Sequence, residues 1–129
     1  MDFISEQKFL LVSPKKIRPL ASLAKKLTPI RAIDVLPFSG KKASEPLVKV
    51  IKSAVANARV KGVSEESLTF KEIRISEGPS LKRGRPVSRG RWHPFIRRMS
   101  HIRVILETKE EPKEVKKEKE EIEVKKEEK

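Results

Sequence analysis

The stretch from Gly78 to Leu106 contains eight Lys and Arg residues and no acidic residue. Its arginines are spaced by Gly and Pro, and each guanidinium plane can bind two phosphate oxygens or stack on a base. Trp92 and Phe95 add flat apolar surfaces of the kind on which unstacked RNA bases settle. Basic residues interleaved with aromatic ones predict an RNA-binding segment. A disordered basic linker is the alternative, but such a linker has no need to expose Trp92, Phe95 and Ile96.

No residue pattern in the chain indicates an enzyme or a metal site. There is no Cys, so thiolate metal sites and disulfides are excluded. His93 and His101 lack a nearby carboxylate to orient them for acid–base catalysis. Gly84 and Gly90 are not followed by the Gly-Lys-Ser/Thr of a phosphate-binding loop. We expect no catalytic residue, no metal, no cofactor and no small-molecule substrate.

The net charge of +13 is large for 129 residues and favours a polyanionic partner. Residues 1–106 carry 23 Lys and Arg against eight acids, whereas residues 107–129 carry ten Glu and eight Lys. No apolar run is long enough to cross a bilayer, and the first residues do not resemble a signal peptide. We therefore expect a soluble, intracellular protein without a membrane partner.

The first elements are predicted to be a short strand over residues 8–12 and a helix that follows it. Ser13 is suited to cap this helix and Pro14 to occupy its first position. Apolar residues then follow at helical spacing: Ile17, Leu20, Ala21, Ala24 and Leu27. Pro19 lies inside the segment and should kink the helix or restrict it to its first turns.

Two further helices are predicted, the first from Pro29 to about Leu36. The second, over residues 41–61, has the clearest apolar stripe: Leu47, Val48, Ile51, Ala54, Val55 and Ala58. Gly62 is a suitable C-terminal stop for it. Pro46 should make its first turn bent or irregular.

The second half of the chain predicts two strands joined by a long arm. The first strand covers residues 68–75, and its broken alternation allows a bulge near Phe70. The second covers residues 101–106. If the 24 residues from 77 to 100 form an antiparallel ribbon, it would reach roughly 30 Å from the body. Residues 107–129 are Glu/Lys-rich, and we expect a disordered tail.

Several fragments, in this order and spacing, resemble the bacterial form of large-subunit ribosomal protein twenty-two. The most specific are Glu77-Gly78-Pro79-Ser80-Leu81-Lys82-Arg83 and Ile96-Arg97-Arg98-Met99-Ser100-His101-Ile102. Others are Ser13-Pro14-Lys15-Lys16-Ile17-Arg18, Ala32-Ile33-Asp34-Val35-Leu36, Lys41-Lys42-Ala43, Ser53-Ala54-Val55-Ala56-Asn57-Ala58 and Gly90-Arg91.

This resemblance implies an α+β fold of three helices packed on a small three-stranded antiparallel sheet, with a long protruding β-hairpin. Residues 1–106 would form the RNA-binding domain, with the hairpin at about 78–100. The resemblance also implies a structural protein of the large ribosomal subunit in the cytoplasm. Its partners would be large-subunit ribosomal RNA and neighbouring ribosomal proteins. It would support subunit assembly. Its hairpin tip would line the nascent-peptide exit tunnel of the large subunit and contact the nascent peptide there.

The residues expected to bind ribosomal RNA combine the basic arm with the matching family positions. They are Lys15, Lys16, Arg18, Lys41, Lys42, Lys82, Arg83, Arg85, Arg89, Arg91, Trp92, Arg97, Arg98 and His101. The residues expected to line the tunnel are Pro86, Val87, Ser88, Arg89, Gly90 and Arg91. Composition alone leaves open a free-standing basic DNA- or RNA-binding regulator or chaperone.

Overall fold

The computed structural model describes residues 1–108. Its sheet consists of β1 (Asp2–Leu10), β2 (Leu68–Pro86) and β3 (Trp92–Thr108), in the order β1-β3-β2 with both pairings antiparallel. Its helices are α1 (Pro14–Ala24), α2 (Pro29–Val35) and α3 (Ser44–Val60). Short 3-10 turns occupy Leu36–Ser39, Glu65–Ser67 and Ser88–Gly90. The expected α+β architecture of three helices, a three-stranded antiparallel sheet and a long hairpin is confirmed.

The core lies between one face of the sheet and the helices. Strand β3 alternates strictly, so that Ile102, Val104 and Leu106 are buried while Arg103 is exposed. Helix α3 places Leu47, Ile51, Ala54 and Ala58 in the same cluster, and α1 adds Ile17 and Leu20. The predicted helical stripes are therefore the surfaces that the fold buries.

The bulge predicted near Phe70 is confirmed by a register shift between Phe70 and Glu72. Side chains alternate along a strand, so an extra residue reverses which face the following ones occupy. Because of the bulge, Phe70 and Ile73 pair with Leu106 and Val104, both of which lie on the core face.

The first strand was predicted too late and too short. It covers Asp2–Leu10 rather than 8–12, and only residues 8–10 are common to both. Residues 2–7 have one large core side chain, Phe3, and they form a strand because β3 supplies their pairing partners. Near its end, Phe9 has φ 57° beside a register shift between Gln7 and Leu10, so its ring points out of the core.

Helices α1 and α3 both contain a proline. Helix α1 continues through Pro19 to Ala24, so Pro19 does not restrict it to its first turns, and the alternative of a kink at Pro19 stays a prediction. Pro19 is exposed, and the carbonyl oxygen that loses its partner can bond to water while the buried side holds the helix on the core. Helix α3 begins at Ser44, which makes Pro46 its third residue, where the missing N–H costs no helical hydrogen bond.

The ends of the helices lie at the predicted residues, although Ser13, at the N-cap position of α1, makes no capping hydrogen bond with its side chain. Pro14 and Pro29 stand at the first positions of α1 and α2. Gly62 follows α3 with φ 78°, as a helix stop requires. The predicted tail boundary at 107 lies inside β3, which extends to Thr108, and residues 109–129 lie outside the described residues.

Candidate nucleic-acid interface

The hairpin extends beyond the sheet as a two-stranded ribbon. Strand β1 ends at Leu10, which pairs with Ser100, whereas β2 and β3 continue to pair from Ser80–Arg98 to Pro86–Trp92. A register shift between Glu77 and Ser80 marks where the ribbon leaves the sheet. Seven paired residues per side span about 23 Å. The structure thus orders most of the long connection between the two predicted strands as a hairpin.

The alternation of side chains gives this ribbon two different faces. Residues paired directly across an antiparallel ladder share a face. The first, which we name the arginine face, consists of Leu81, Arg83, Arg85, His93, Phe95 and Arg97. The second, which we name the tryptophan face, consists of Ser80, Lys82, Gly84, Pro86, Trp92, Pro94, Ile96 and Arg98. Cations lie on both faces, but the first concentrates arginines and the second apolar surface.

A pocket of about 380 Å³ opens on the arginine face. It is lined by Arg85, His93, Phe95 and Arg97. The guanidinium carbon of Arg97 lies 5.9 Å from the centre of the Phe95 ring, within the range of a cation–π interaction. Cationic side chains and an aromatic ring therefore adjoin one another here.

On the tryptophan face, the Trp92 indole covers Gly84. A Cβ built on Gly84 would overlap the ring atoms Cε2, Nε1 and Cζ2 of Trp92. Gly84 pairs with Pro94, so Trp92 is its diagonal neighbour across the ladder, and an aromatic ring over a strand glycine stabilises such a pairing. Trp92 thus packs on the hairpin with one side of its ring while the residue stays 66% exposed.

The predicted tunnel-lining residues all lie at the hairpin tip. The strands close around Ser88–Gly90, and the Val87 N–H donates to the Arg91 carbonyl oxygen at 2.8 Å. Arg89 and Gly90 have φ of 61° and 69°. Two successive residues in the left-handed region turn the chain sharply, and the tip side chains are exposed.

The basic residues predicted on the body come together only in part. Lys16, Lys41 and Lys42 line one pocket of about 510 Å³, although 25 positions separate the first two in sequence. Lys41 and Lys42 also border a second pocket with Lys49 and Lys52. Sequence reasoning missed these two lysines; their i, i+3 spacing on the exposed side of α3 was the available signal.

The remaining predicted residues of the body lie elsewhere. Arg18 lines a separate pocket of about 380 Å³ with Lys25 and the β2 residues Glu72 to Ile75. Lys15 is exposed on α1.

His101 lies at the root of the hairpin and contacts β1. The Phe9 N–H donates to His101 Nδ1 at 2.9 Å, and the two rings meet edge to face with centres 5.0 Å apart. One ring nitrogen therefore accepts a hydrogen bond within the fold, which leaves Nε2 as the nitrogen that could contact a ligand.

Residues 1–108 contain no group of three His, Cys, Asp or Glu side chains that could hold a metal ion. In that same part of the chain, no helix is long and apolar enough to cross a membrane.

Comparison with known proteins matches residues 5–107 to the family model described as "Ribosomal protein L22p/L17e". The relatives include proteins named large ribosomal subunit protein uL22. The one from Desulfatibacillum aliphaticivorans is 41% identical over 100 residues, covering 78% of this chain and 93% of the relative. The one from Protochlamydia amoebophila is 41% identical over 100 residues, with 77% and 90% covered. The one from Thermotoga sp. strain RQ2 is 39% identical over 119 residues, with 92% and 75% covered.

Proposed function

The chain belongs to the ribosomal protein L22p/L17e family, and from this membership we propose that its hairpin and its basic helical surface bind large-subunit ribosomal RNA. The family is one of structural proteins, so the chain is a structural component of the cytoplasmic large ribosomal subunit and not an enzyme. Neighbouring large-subunit proteins are further partners.

The observation that carries the RNA-binding proposal is the two-faced hairpin. From Ser80 to Arg98 it carries seven Lys and Arg residues, five on its two strands and two at its tip, and no acidic residue. A two-stranded ribbon without a sheet on either face is marginally stable by itself. Ribosomal RNA packed against both faces would neutralise the charge and hold the ribbon straight. RNA that folds around the hairpin would lose these packing contacts if the hairpin were absent. We therefore propose that the protein supports subunit assembly.

The body would contribute a second contact surface. Lys16, Lys41 and Lys42 form a cluster to which a phosphate backbone can bind, and Lys52 extends it along α3. Backbone contacts of this kind position a protein without selecting a sequence. We propose that this surface anchors the domain while the hairpin reaches into the RNA.

We further propose that the hairpin tip, Pro86 to Arg91, lines the nascent-peptide tunnel. The tip lies at the end of the ribbon farthest from the core, where the structure places no other part of residues 1–108 against its exposed side chains. In the assembled subunit, RNA on the flanks of the ribbon would leave the tip as the part that can face the peptide.

Sedimentation of a cell lysate through a sucrose gradient tests the RNA-binding proposal. Wild-type chain should sediment with the large subunit and remain there at moderate salt, because contacts enclosed by folded RNA are poorly screened. Chain that stays at the top of the gradient, or leaves the subunit steeply with added salt, would instead indicate a free-standing nucleic-acid-binding protein.

A further inference from the structure

Two aromatic residues of the hairpin differ in what surrounds them. Phe95 pairs with Arg83 on the arginine face, and the pocket around it is lined by Arg85 and Arg97. Trp92 pairs with Pro86, on the other face, and covers Gly84. Arginines therefore flank the first ring directly, whereas the two neighbours of the second ring across the ladder, Pro86 and Gly84, are uncharged.

The Phe95 ring has room for a planar ligand. Phe95 is 38% exposed at the wall of the 380 Å³ pocket. The Arg97 guanidinium carbon, at 5.9 Å from the ring centre, is farther away than the 3.5–4.0 Å or so of direct stacking contact. A flat group between the ring and the guanidinium would stack on both after a small outward movement of the flexible Arg97 side chain.

The charge around the pocket selects the kind of ligand. Arg83, Arg85 and Arg97 share this face, and the hairpin carries no acidic residue from Ser80 to Arg98. A nucleotide unites a flat base with a phosphate on either side, so one ligand would satisfy the ring and the arginines together.

We propose that Phe95, with Arg85 and Arg97, forms a stacking site for a single unpaired base of RNA, whereas Trp92 mainly clasps the hairpin by packing on Gly84. The proposal rests on the RNA-binding function above and adds which face reads a base. The arginines hold the flanking phosphates, and the Phe95 ring supplies the surface that distinguishes a nucleotide from a bare phosphate chain.

Binding of the full chain to two decamers tests the stacking site. One is oligouridylate, and the other is an abasic decamer with the same phosphates. Wild type should bind oligouridylate about fivefold to a hundredfold more tightly than the abasic decamer. Phe95→Leu should lose most of this preference and keep its affinity for the abasic decamer, whereas Phe95→Tyr should retain the preference.

Two control variants locate the base on one face. Ile96→Ala removes a 55% exposed apolar side chain from the tryptophan face and should leave the preference unchanged. Trp92→Leu should also leave most of the preference in place. A preference that survives Phe95→Leu but disappears in Trp92→Leu would overturn the proposal and assign the base to Trp92.

Base-specific chemical probing of assembled large subunits separates this proposal from the function on which it rests. Subunits that contain Phe95→Leu should show a several-fold gain in reactivity at an unpaired base near the hairpin, with the backbone footprint of the hairpin unchanged. An unchanged base pattern in subunits that contain the variant would overturn the stacking site alone. Failure of wild-type chain to join the subunit would overturn the RNA-binding function.

Discussion

The indole of Trp92 lies where a side chain on Gly84 would have to be. These two residues are diagonal neighbours across the hairpin, on the face opposite to Phe95. The absence of a side chain at position 84 lets a large ring lie flat on the ribbon, in a segment with little other apolar contact. The shape of the hairpin near its tip therefore depends on a pair made of the smallest and the largest residue.

Gly84→Val should displace Trp92 and loosen the hairpin without unfolding the body, because the pair lies on the ribbon beyond the end of β1 and neither residue belongs to the core cluster. Trp92 is the sole Trp and the chain has no Tyr, so its fluorescence reports this site alone. We expect a red-shifted emission in the variant and a thermal unfolding midpoint of the body within about 2 °C of wild type. Emission equal to that of wild type would show that the ring does not rest on Gly84.

A cysteine at the hairpin tip should crosslink to a nascent peptide. The chain contains no native Cys, so Val87→Cys provides a single attachment point for a short photoreactive reagent. In translating ribosomes we expect crosslinks from position 87. The matched control is Val60→Cys, a highly exposed position at the end of α3, which should give none. Equal yields from both positions would argue against a tip in the tunnel.

Neutralising the lysine cluster of the body should weaken RNA binding and its salt dependence. Each lost phosphate contact lowers the slope of log affinity against log salt by about 0.7–0.9. Lys42→Gln removes about one such contact, so it should reduce the magnitude of the slope measured with isolated large-subunit RNA by about 0.7–0.9. Lys26→Gln removes the same charge outside the cluster and should change the slope less. Identical effects of the two variants would indicate that only net charge matters.

Ser100→Ala should destabilise the body where the hairpin begins. Ser100 is fully buried, and its hydroxyl donates to the Val12 carbonyl oxygen at 2.8 Å. Removing the donor leaves that carbonyl without this partner, which costs about 1–3 kcal/mol of unfolding free energy. Chemical denaturation should show this loss, while Ser80→Ala on the exposed hairpin should stay within about 0.5 kcal/mol of wild type.

Acid should weaken one ion pair between the outer strands. Lys71 Nζ lies 2.8 Å from a carboxylate oxygen of Asp2, and this hydrogen bond lowers the pKa of Asp2 below 3.8 and raises that of Lys71. Because the pKa of Asp2 is lower in the folded state, this ion pair stabilises the fold at pH values above the unfolded pKa. Its stabilisation disappears as the pH falls through the folded pKa. Asp2→Asn should thus reduce stability slightly at neutral pH, and the difference from wild type should vanish once the pH has fallen through the lowered folded pKa of Asp2. A difference that persists there would exclude this pair as its cause.

Local chemistry explains why much of this fold was predictable. Pro14 and Pro29 begin helices because their fixed φ suits a first turn, and Leu47 to Ala58 recur at helical spacing because one side of α3 is buried. The strand at residues 2–7 was missed because its pairing comes from β3, about a hundred positions away. The length of the helix through Pro19 could not be predicted locally, because the packing of its buried side outweighs one lost hydrogen bond.

The candidate site, like the fold, was predictable only in part. The segment from Gly78 to Leu106 could be recognised from the sequence as basic, free of acids and interleaved with aromatics, since charge and ring type belong to the residues alone. The fold sets which of them share a surface, because strand register sends alternate residues to opposite faces. It joined Phe95 with Arg85 and Arg97, set Trp92 on Gly84, and brought Lys16 beside Lys41 and Lys42.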